Sequence, residues 1–192
     1  GQAGPCPIAM NDAWVVWGDQ VSNTVWKRSL ATGSSNVAVA EAFWPGTVFI
    51  TGDYGYVGGE GIVGRFLLSS GGIGDTLRLM HSTWDVEGIA ADEDNLCYMQ
   101  TMYGRVYCTP APAMVSPDAY LVEPGVDMRT SLALDDTFVY YLTPSAVERA
   151  TISSGAVSVV ATSSQPGALA LDEDGIYWTE PNAGRVMVLA KP

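Results

Sequence analysis

Aromatic and charged residues that could bind a ligand recur at similar points along the chain. The candidates are Trp44, Trp84, Asp85, Glu87, Asp127, Met128 and Arg129. Aromatic rings beside carboxylates suit stacking against a sugar ring or capture of a basic peptide segment. The alternative is that the tryptophans only fill space between neighbouring structural units. Both interpretations stay open at the level of sequence.

Catalytic chemistry has little support from the residue types present. His81 is the only histidine in the sequence, so neither a two-histidine metal site nor a His-rich lyase centre can be formed. A Ser-His-Asp arrangement would have to use His81, and the sequence contains no Gly-x-Ser-x-Gly motif. The simpler interpretation places His81 at the surface. The sequence therefore predicts no catalytic residue.

Two acidic stretches, Asp92-Glu-Asp-Asn and Asp172-Glu-Asp-Gly, invite a calcium assignment. They lack the remaining ligands of an EF-hand loop, whose twelve residues end in a bidentate glutamate. Asp and Asn in a tight hairpin tolerate left-handed geometry and accept hydrogen bonds from their own backbone. We therefore interpret both stretches as turns and predict no metal site in them.

The elements that must position these residues belong to a repeat, which is clearest over residues 167–189. In each copy a polar residue ends the first strand. These marker residues are Asn11, Thr51, Asp92, Asp135 and Asp172, and their separations are 40, 41, 43 and 37 residues. A period near forty residues with several strands per period is typical of a β-propeller.

Five copies predict an all-β, five-bladed propeller with about four antiparallel strands in each blade, forming a single domain. The blades are expected at approximately 6–42, 43–83, 84–125, 126–163 and 164–192. Trp44, Asp85 and Met128 each precede a marker by seven residues. They are therefore expected on one loop face around the central channel.

Two further features of the repeat bear on packing. The aligned aromatic residues Trp17, Tyr98, Tyr141 and Trp178 are predicted to pack between blades and not to form a ligand cage. In the second copy Gly58 and its neighbouring glycines indicate either a close approach of another segment or a loosened hairpin.

The last copy is predicted to contain only three strands, Gly167–Leu171, Ile176–Thr179 and Arg185–Leu189. An uncovered edge strand promotes aggregation. Three explanations stay open: a three-stranded blade, a partner chain or second copy at the open edge, and a natural protein longer than these residues.

Composition excludes several classes of function. Nine basic residues stand against 21 acidic ones, a formal charge of −12. This argues against nucleic acid, which requires a basic track, and against anionic membrane surfaces. No apolar run reaches the roughly 18 residues of a membrane helix. The start of the chain does not resemble a signal peptide, so we expect any such signal to have been removed already.

The chain has three cysteines. Pairing Tyr98 with Tyr107 across the third hairpin would place Cys97 opposite Cys108, where a disulfide can form. The alternative is two buried thiols in a reduced protein. The disulfide would imply an oxidising compartment, either secreted or periplasmic, and would leave Cys6 unpaired within the chain.

The last copy also resembles a known blade motif. Tyr177-Trp178-Thr179-Glu180, between Ala170-Leu171-Asp172 and Gly184-Arg185-Val186, is similar to the YWTD propellers of low-density-lipoprotein-receptor ectodomains. It is also similar to repeat proteins of environmental bacteria. Receptor propellers have six blades and this sequence has five copies, so the resemblance implies the architecture and not a receptor role.

The resemblance implies a class of function without naming a ligand. Such families are mostly extracellular scaffolds that bind proteins or carbohydrates, and some propeller relatives are enzymes. Calcium-dependent lactonase propellers use inward-facing acidic ligands, which Glu41, Glu87 and Asp127 could approach. We expect a non-catalytic extracellular module that binds carbohydrate or protein through one loop face. The alternatives are a calcium-assisted lactonase, hydrolase or lyase with its site at the channel, and a subunit of a larger propeller assembly.

Overall fold

A computed structural model describes residues 7–41, 44–70, 75–78, 86–100, 103–111, 121–123 and 131–191. The candidate residues Trp84, Asp85, Asp127, Met128 and Arg129 lie outside these ranges, as do Cys6 and His81. Within them the chain forms five antiparallel sheets, and a short 3-10 turn lies at Pro181–Ala183. No helix in the described part of the chain is long and apolar enough to cross a membrane.

The first two sheets each have four strands in chain order. The first contains β1 (Ile8–Met10), β2 (Trp14–Asp19), β3 (Thr24–Ser29) and β4 (Val37–Glu41). The second contains β5 (Thr47–Thr51), β6 (Tyr54–Gly59), β7 (Ile62–Leu67) and β8 (Asp75–Arg78).

The other three sheets follow the same up-and-down order. The third contains β9 (Val86–Ala91), β10 (Asn95–Gln100) and β11 (Arg105–Pro110), with Val122 bridging Val106 at its edge. The fourth contains β12 (Leu132–Leu134), β13 (Phe138–Thr143), β14 (Ala146–Thr151) and β15 (Val157–Thr162). The fifth contains β16 (Leu169–Leu171), β17 (Gly175–Glu180) and β18 (Arg185–Ala190).

This is a five-bladed β-propeller arrangement, which confirms the predicted fold class. Each sheet is one blade, and the inner strands of consecutive blades pack side by side: β1 with β5, β5 with β9, β9 with β12 and β12 with β16. Of the fourth strand expected in the third blade, the described residues contain only the bridge at Val122.

The hairpins after the inner strands are held by the marker residues. The Oδ1 atoms of Asn11, Asp92, Asp135 and Asp172 each accept hydrogen bonds from the backbone N–H groups two and three residues later. Such Asx geometry closes the tight turn that starts the second strand. The acidic stretches at Asp92 and Asp172 are therefore turns, as predicted.

Apolar residues fill the spaces between blades. On each second strand the residue five positions after the marker points toward the following blade, and the residue six positions after it points toward the preceding blade. Tyr140 and Trp178 show this arrangement, because both belong to the cluster between the fourth and fifth blades. Tyr98 and Tyr141 are likewise buried between blades, as predicted. Trp17 on the first blade is only half-buried.

Blades two and three approach closely at Gly58. A Cβ atom at this position would lie 2.6 Å from Cγ1 of Val86. Of the two interpretations, Gly58 therefore fits the close approach of another segment, since a side chain there would collide with Val86.

A disulfide joins Cys97 on β10 to Cys108 on β11. Tyr98 pairs with Tyr107 in the same ladder, as the sequence predicts, and the two tyrosine rings stack with centroids 5.2 Å apart. Cys97 faces the fourth blade, in the cluster that includes Tyr141 and Val139. The cross-link therefore fixes the hairpin at the middle of the propeller.

Candidate functional site

Two members of the predicted ligand-binding face lie in the described part of the chain. Trp44 is 45% exposed on the segment that leads into β5. Glu87 is half-buried on β9. The remaining five candidates lie outside the described residues, so the face as a whole stays a prediction.

The segments that carry Trp44 and Glu87 are adjacent in space. A Cβ atom at Gly46 would lie 3.0 Å from the carbonyl oxygen of Val86, the residue before Glu87. In addition, Nε2 of Gln20, in the turn between β2 and β3, donates a hydrogen bond to the carbonyl of Pro45 (3.2 Å). The segment that leads into β5 thus lies beside the segment that leads into β9 and beside the turn between β2 and β3. The repeat predicts that these two kinds of loop share one face of the propeller.

A cavity that the sequence reasoning missed lies at the opposite end of the blades. Its volume is about 480 Å³, and it opens between the second and third blades. The side chains that matter for its chemistry are Asp53, Tyr54, Tyr56, Arg65, Asp92 and Glu93. We call this the Tyr54 cavity.

Arg65 is the central cation of the Tyr54 cavity. Its guanidinium lies over the ring of Tyr54, 5.0 Å from the centroid. One of its terminal nitrogens donates a 2.6 Å hydrogen bond to the carbonyl of Ala111 in the third blade. The guanidinium therefore bridges two blades and is held in one orientation over an aromatic face.

Tyr56 and Asp92 complete the wall of the cavity. Tyr56 is buried, and this burial raises the pKa of its hydroxyl, so the group stays a neutral donor and acceptor at ordinary pH. Asp92 is oriented by the N–H groups of Asp94 and Asn95, at 2.8 and 2.6 Å from its Oδ1 atom. The cavity thus combines one cation, several carboxylates and two tyrosines.

A related arrangement occurs in the fourth blade, in a cavity of about 600 Å³ that we call the Phe138 cavity. The Arg149 guanidinium lies 4.1 Å from the centroid of the Phe138 ring. The hydroxyl of Tyr140 donates a 2.9 Å hydrogen bond to Oδ2 of Asp135, and Nζ of Lys191 lies 3.8 Å from the same oxygen. The pKa of Tyr140 is raised by burial and by this hydrogen bond.

The two cavities share a sequence signal. Tyr54-x-Tyr56 is followed by Arg65, and Phe138-x-Tyr140 is followed by Arg149, with the arginine eleven residues after the first aromatic in both. The pairing of β6 with β7 sets Tyr56 opposite Arg65, and the pairing of β13 with β14 sets Tyr140 opposite Arg149. Regular cross-strand pairing thus places an arginine opposite an aromatic residue in both the second and the fourth blade.

The side chains that the structure describes do not form a metal-binding site. Within those ranges, no group of three or more His, Cys, Asp or Glu residues lies close enough to hold an ion. Asp135 and Asp92 are instead oriented by hydrogen bonds of their own turns.

Comparison with known proteins identifies the fold alone. No family model matches the sequence, and no curated protein matches it significantly. Many solved structures resemble the fold. A nidogen/laminin complex matches with a TM-score of 0.69 at 12% identity, over 96% of this chain and 74% of that one. A streptogramin B lyase matches with a TM-score of 0.71 at 11% identity, over 92% of this chain and 62% of that one.

A chain of a mitotic checkpoint complex also matches, with a TM-score of 0.72 at 14% identity, over 90% of this chain and 57% of that one. The nidogen/laminin and streptogramin lyase structures are β-propellers. The present chain spans between about three fifths and three quarters of the length of these structures.

Proposed function

We propose that the protein is a non-catalytic extracellular binding module whose Tyr54 cavity holds a carbohydrate. The observation that supports this is the fixed guanidinium over Tyr54 in a concave site bordered by carboxylates. The volume of about 480 Å³ is within the range of small-molecule sites.

A neutral sugar matches the polarity of the cavity. Vicinal hydroxyls can donate to Asp53 and Asp92 while they accept from Arg65, and the exposed edge of Tyr54 offers a ring for stacking. A strongly anionic ligand would be repelled by the carboxylates. A ligand with many hydroxyls and no net charge avoids that repulsion and can hydrogen-bond both the carboxylates and Arg65.

The test is titration with a panel of neutral mono- and disaccharides, followed by calorimetry and by saturation-transfer NMR. We expect Tyr54→Ala and Asp53→Asn to weaken binding at least about tenfold, as expected for the loss of about 1.4 kcal/mol. Phe138→Ala is the matched control, because it removes the equivalent ring from the Phe138 cavity. Binding unaffected by Tyr54→Ala, or no binding to any sugar of the panel, would contradict the proposal.

Trp44 supports a second candidate, namely recognition of a protein or carbohydrate on the opposite face. Its 45% exposure in a segment packed against β9 makes it available to a partner. Trp44→Ala should then abolish ligand-induced quenching of tryptophan fluorescence while Tyr54→Ala leaves it intact. The reverse pattern assigns the ligand to the Tyr54 cavity.

A further inference from the structure

A cation lies over an aromatic ring at the same repeat position in three blades of the described chain. These pairs are Lys27 over Trp14, Arg65 over Tyr54 and Arg149 over Phe138. In each pair the cation stands opposite the residue two positions after the aromatic one in the ladder of the hairpin. The three pairs are therefore equivalent in register, and they differ in what else the cation contacts.

In the first and second blades the cation is bonded to the following blade. Nζ of Lys27 donates a 2.9 Å hydrogen bond to the carbonyl of Leu68, and a terminal nitrogen of Arg65 donates one of 2.6 Å to the carbonyl of Ala111. Leu68 and Ala111 occupy the same repeat position, because the N–H of each donates to the carbonyl two residues after the marker of its blade. These two cations thus join adjacent blades.

The fourth blade departs from this pattern. The residue of the fifth blade that corresponds to Ala111 is Lys191, which makes the equivalent backbone hydrogen bond. Among the described residues, Arg149 donates no hydrogen bond to the carbonyl of Lys191; its Nε donates instead to Oγ of Ser158 on β15 (3.2 Å). The guanidinium is therefore oriented by Ser158 and by the Phe138 ring, while its terminal nitrogens do not join the two blades.

The other charged groups of the Phe138 cavity leave Arg149 available to a negative charge. Asp135 is already engaged, because its Oδ1 accepts from the backbone of its turn and its Oδ2 lies within reach of the Tyr140 hydroxyl and of Lys191. Arg149 and Lys191 are both cationic, and Asp135 balances only one of them. Asp136 is exposed in the turn at the edge of the cavity. A ligand with one negative charge can therefore pair with Arg149, whereas a doubly charged one would meet more repulsion from Asp136.

We propose that the Phe138 cavity is a second binding site, which takes a small ligand by one carboxylate paired with the Arg149 guanidinium, with Lys191 beside it. An arginine fork matches a carboxylate in geometry, because two parallel N–H···O bonds can form. The cavity volume of about 600 Å³ is within the range of small-molecule sites. The site is independent of the Tyr54 cavity, whose arginine is bonded to Ala111.

The first test is NMR of the guanidinium N–H groups of the wild-type protein, with D-glucuronate and L-lactate as carboxylate probes and D-glucose as the neutral counterpart. We expect glucuronate to shift the Nε–H signal of Arg149 saturably and to leave unchanged that of Arg28, an exposed arginine on β3. Glucose should leave both signals unchanged. Binding of glucuronate alone would identify an acidic sugar, and equal binding of lactate would identify the carboxylate itself as the recognised group.

Calorimetry of variants gives the second test. Arg149→Met should weaken glucuronate binding at least about tenfold, and Arg149→Lys should not restore it, because lysine keeps the charge and lacks the fork. Asp136→Asn should retain binding or strengthen it, since it removes a repelling carboxylate. Arg28→Met is the control, because it removes the same charge at a position outside the cavity and should leave the affinity unchanged.

Four results would overturn the proposal. The first is an Arg149 signal that neither acid shifts, and the second is binding that Arg149→Met and Arg28→Met weaken equally, which would show a general attraction of anions. The third is inorganic phosphate that competes as well as glucuronate. The last is glucuronate binding that is lost in Tyr54→Ala and kept in Arg149→Met, which would place the ligand in the Tyr54 cavity.

Discussion

Glu180 is a carboxylate held almost entirely out of water. The residue is 3% exposed, at the end of β17. Its Oε1 atom accepts a 2.6 Å hydrogen bond from the hydroxyl of Ser163, and its Oε2 atom accepts one of 2.7 Å from Nε of Arg185. These partners, the Ser163 hydroxyl first and Arg185 second, hold the pKa of Glu180 below its ordinary value. Glu180 thus ties the loop before β16 to the hairpin of the last blade.

The lowered pKa of Glu180 has a predictable effect on stability. The folded protein binds the proton less readily than the unfolded chain, so the contribution is complete above the ordinary pKa of about 4.3 and is lost as the pH falls through the lower, folded-state value. Glu180→Gln should therefore destabilise the protein at pH 7, and its difference from wild type should shrink below about pH 4. Urea unfolding from pH 7 to pH 3 measures this. A difference between Glu180→Gln and wild type that stays constant from pH 7 to pH 3 would contradict this role of Glu180.

Lys27 is a second buried charge, located between the first and second blades. It is 2% exposed, its Nζ donates hydrogen bonds to the carbonyls of Leu67 (3.1 Å) and Leu68 (2.9 Å), and it lies 5.5 Å from the centre of the Trp14 ring. Burial lowers the pKa of this ammonium. The ammonium therefore links the first sheet to the second by hydrogen bonds.

Replacing Lys27 by methionine keeps the volume of the side chain and removes the donor. The carbonyl of Leu68 then loses its ammonium partner, and a buried acceptor without a donor costs about 1–3 kcal/mol. We expect Lys27→Met to lower the free energy of unfolding by about that amount in chemical denaturation. Arg28→Met, at the exposed neighbouring position, should change it by less than about 0.5 kcal/mol. Equal effects of the two substitutions on the free energy of unfolding would show that the Lys27 hydrogen bonds between the sheets do not stabilise the fold.

At the scale of the secondary-structure element, the disulfide of the third hairpin makes a contribution to stability that can be measured by itself. The Cys97–Cys108 disulfide closes a short loop between β10 and β11, with a sequence separation of 11 residues. Loop-closure entropy gives such a cross-link about 3 kcal/mol. Reduction, or the double substitution of Cys97 and Cys108 by alanine, should lower the free energy of unfolding measured in urea by about that amount. A shift below about 0.5 kcal/mol would mean that the strand pairing alone holds the hairpin.

Strand positions could be predicted from the sequence because each hairpin combines local signals that agree. The three strands of the last copy were predicted to within two residues at each end, since β-branched and aromatic residues end there at turn-forming ones. The marker residues were also predictable, because an Asp or Asn at a tight turn binds the backbone that immediately follows it. These features depend on a few neighbouring residues.

The Tyr54 cavity could not be predicted in the same way, although its parts were visible. The eleven-residue spacing from Tyr54 to Arg65 sets one wall, but the cavity also needs Asp92 and Ala111 from the next blade. Their approach depends on how tightly two sheets pack. The close contact at Gly58 and Val86 sets that distance, and nothing in the spacing of the repeat specifies it.

At the scale of the whole molecule, burial differs between the central blades and the fifth blade. Each of the three central blades packs on both of its faces against a neighbouring blade, whereas Tyr177 on the fifth blade is only half-buried. In a repeat architecture the stability of a unit depends on the neighbours that it contacts. The same side chain should therefore contribute less where it is half-buried than where it is packed between blades.

Tyr140 and Tyr177 allow that comparison with one residue type at one repeat position. Tyr140 is 1% exposed between the fourth and fifth blades, and Tyr177 is half-buried on the fifth. Each hydrogen-bonds the aspartate that precedes it by five residues, Asp135 and Asp172 respectively. The two alanine substitutions thus remove the same ring and the same kind of hydrogen bond. They differ in how deeply the ring is buried.

We expect Tyr140→Ala to cost about 3–5 kcal/mol, because it empties a packed space between blades. Tyr177→Ala should cost about 1 kcal/mol, the value of its hydrogen bond. Urea unfolding of the two variants measures both costs. Equal costs would mean that the Tyr177 ring is as well packed as the Tyr140 ring, which contradicts the difference in burial.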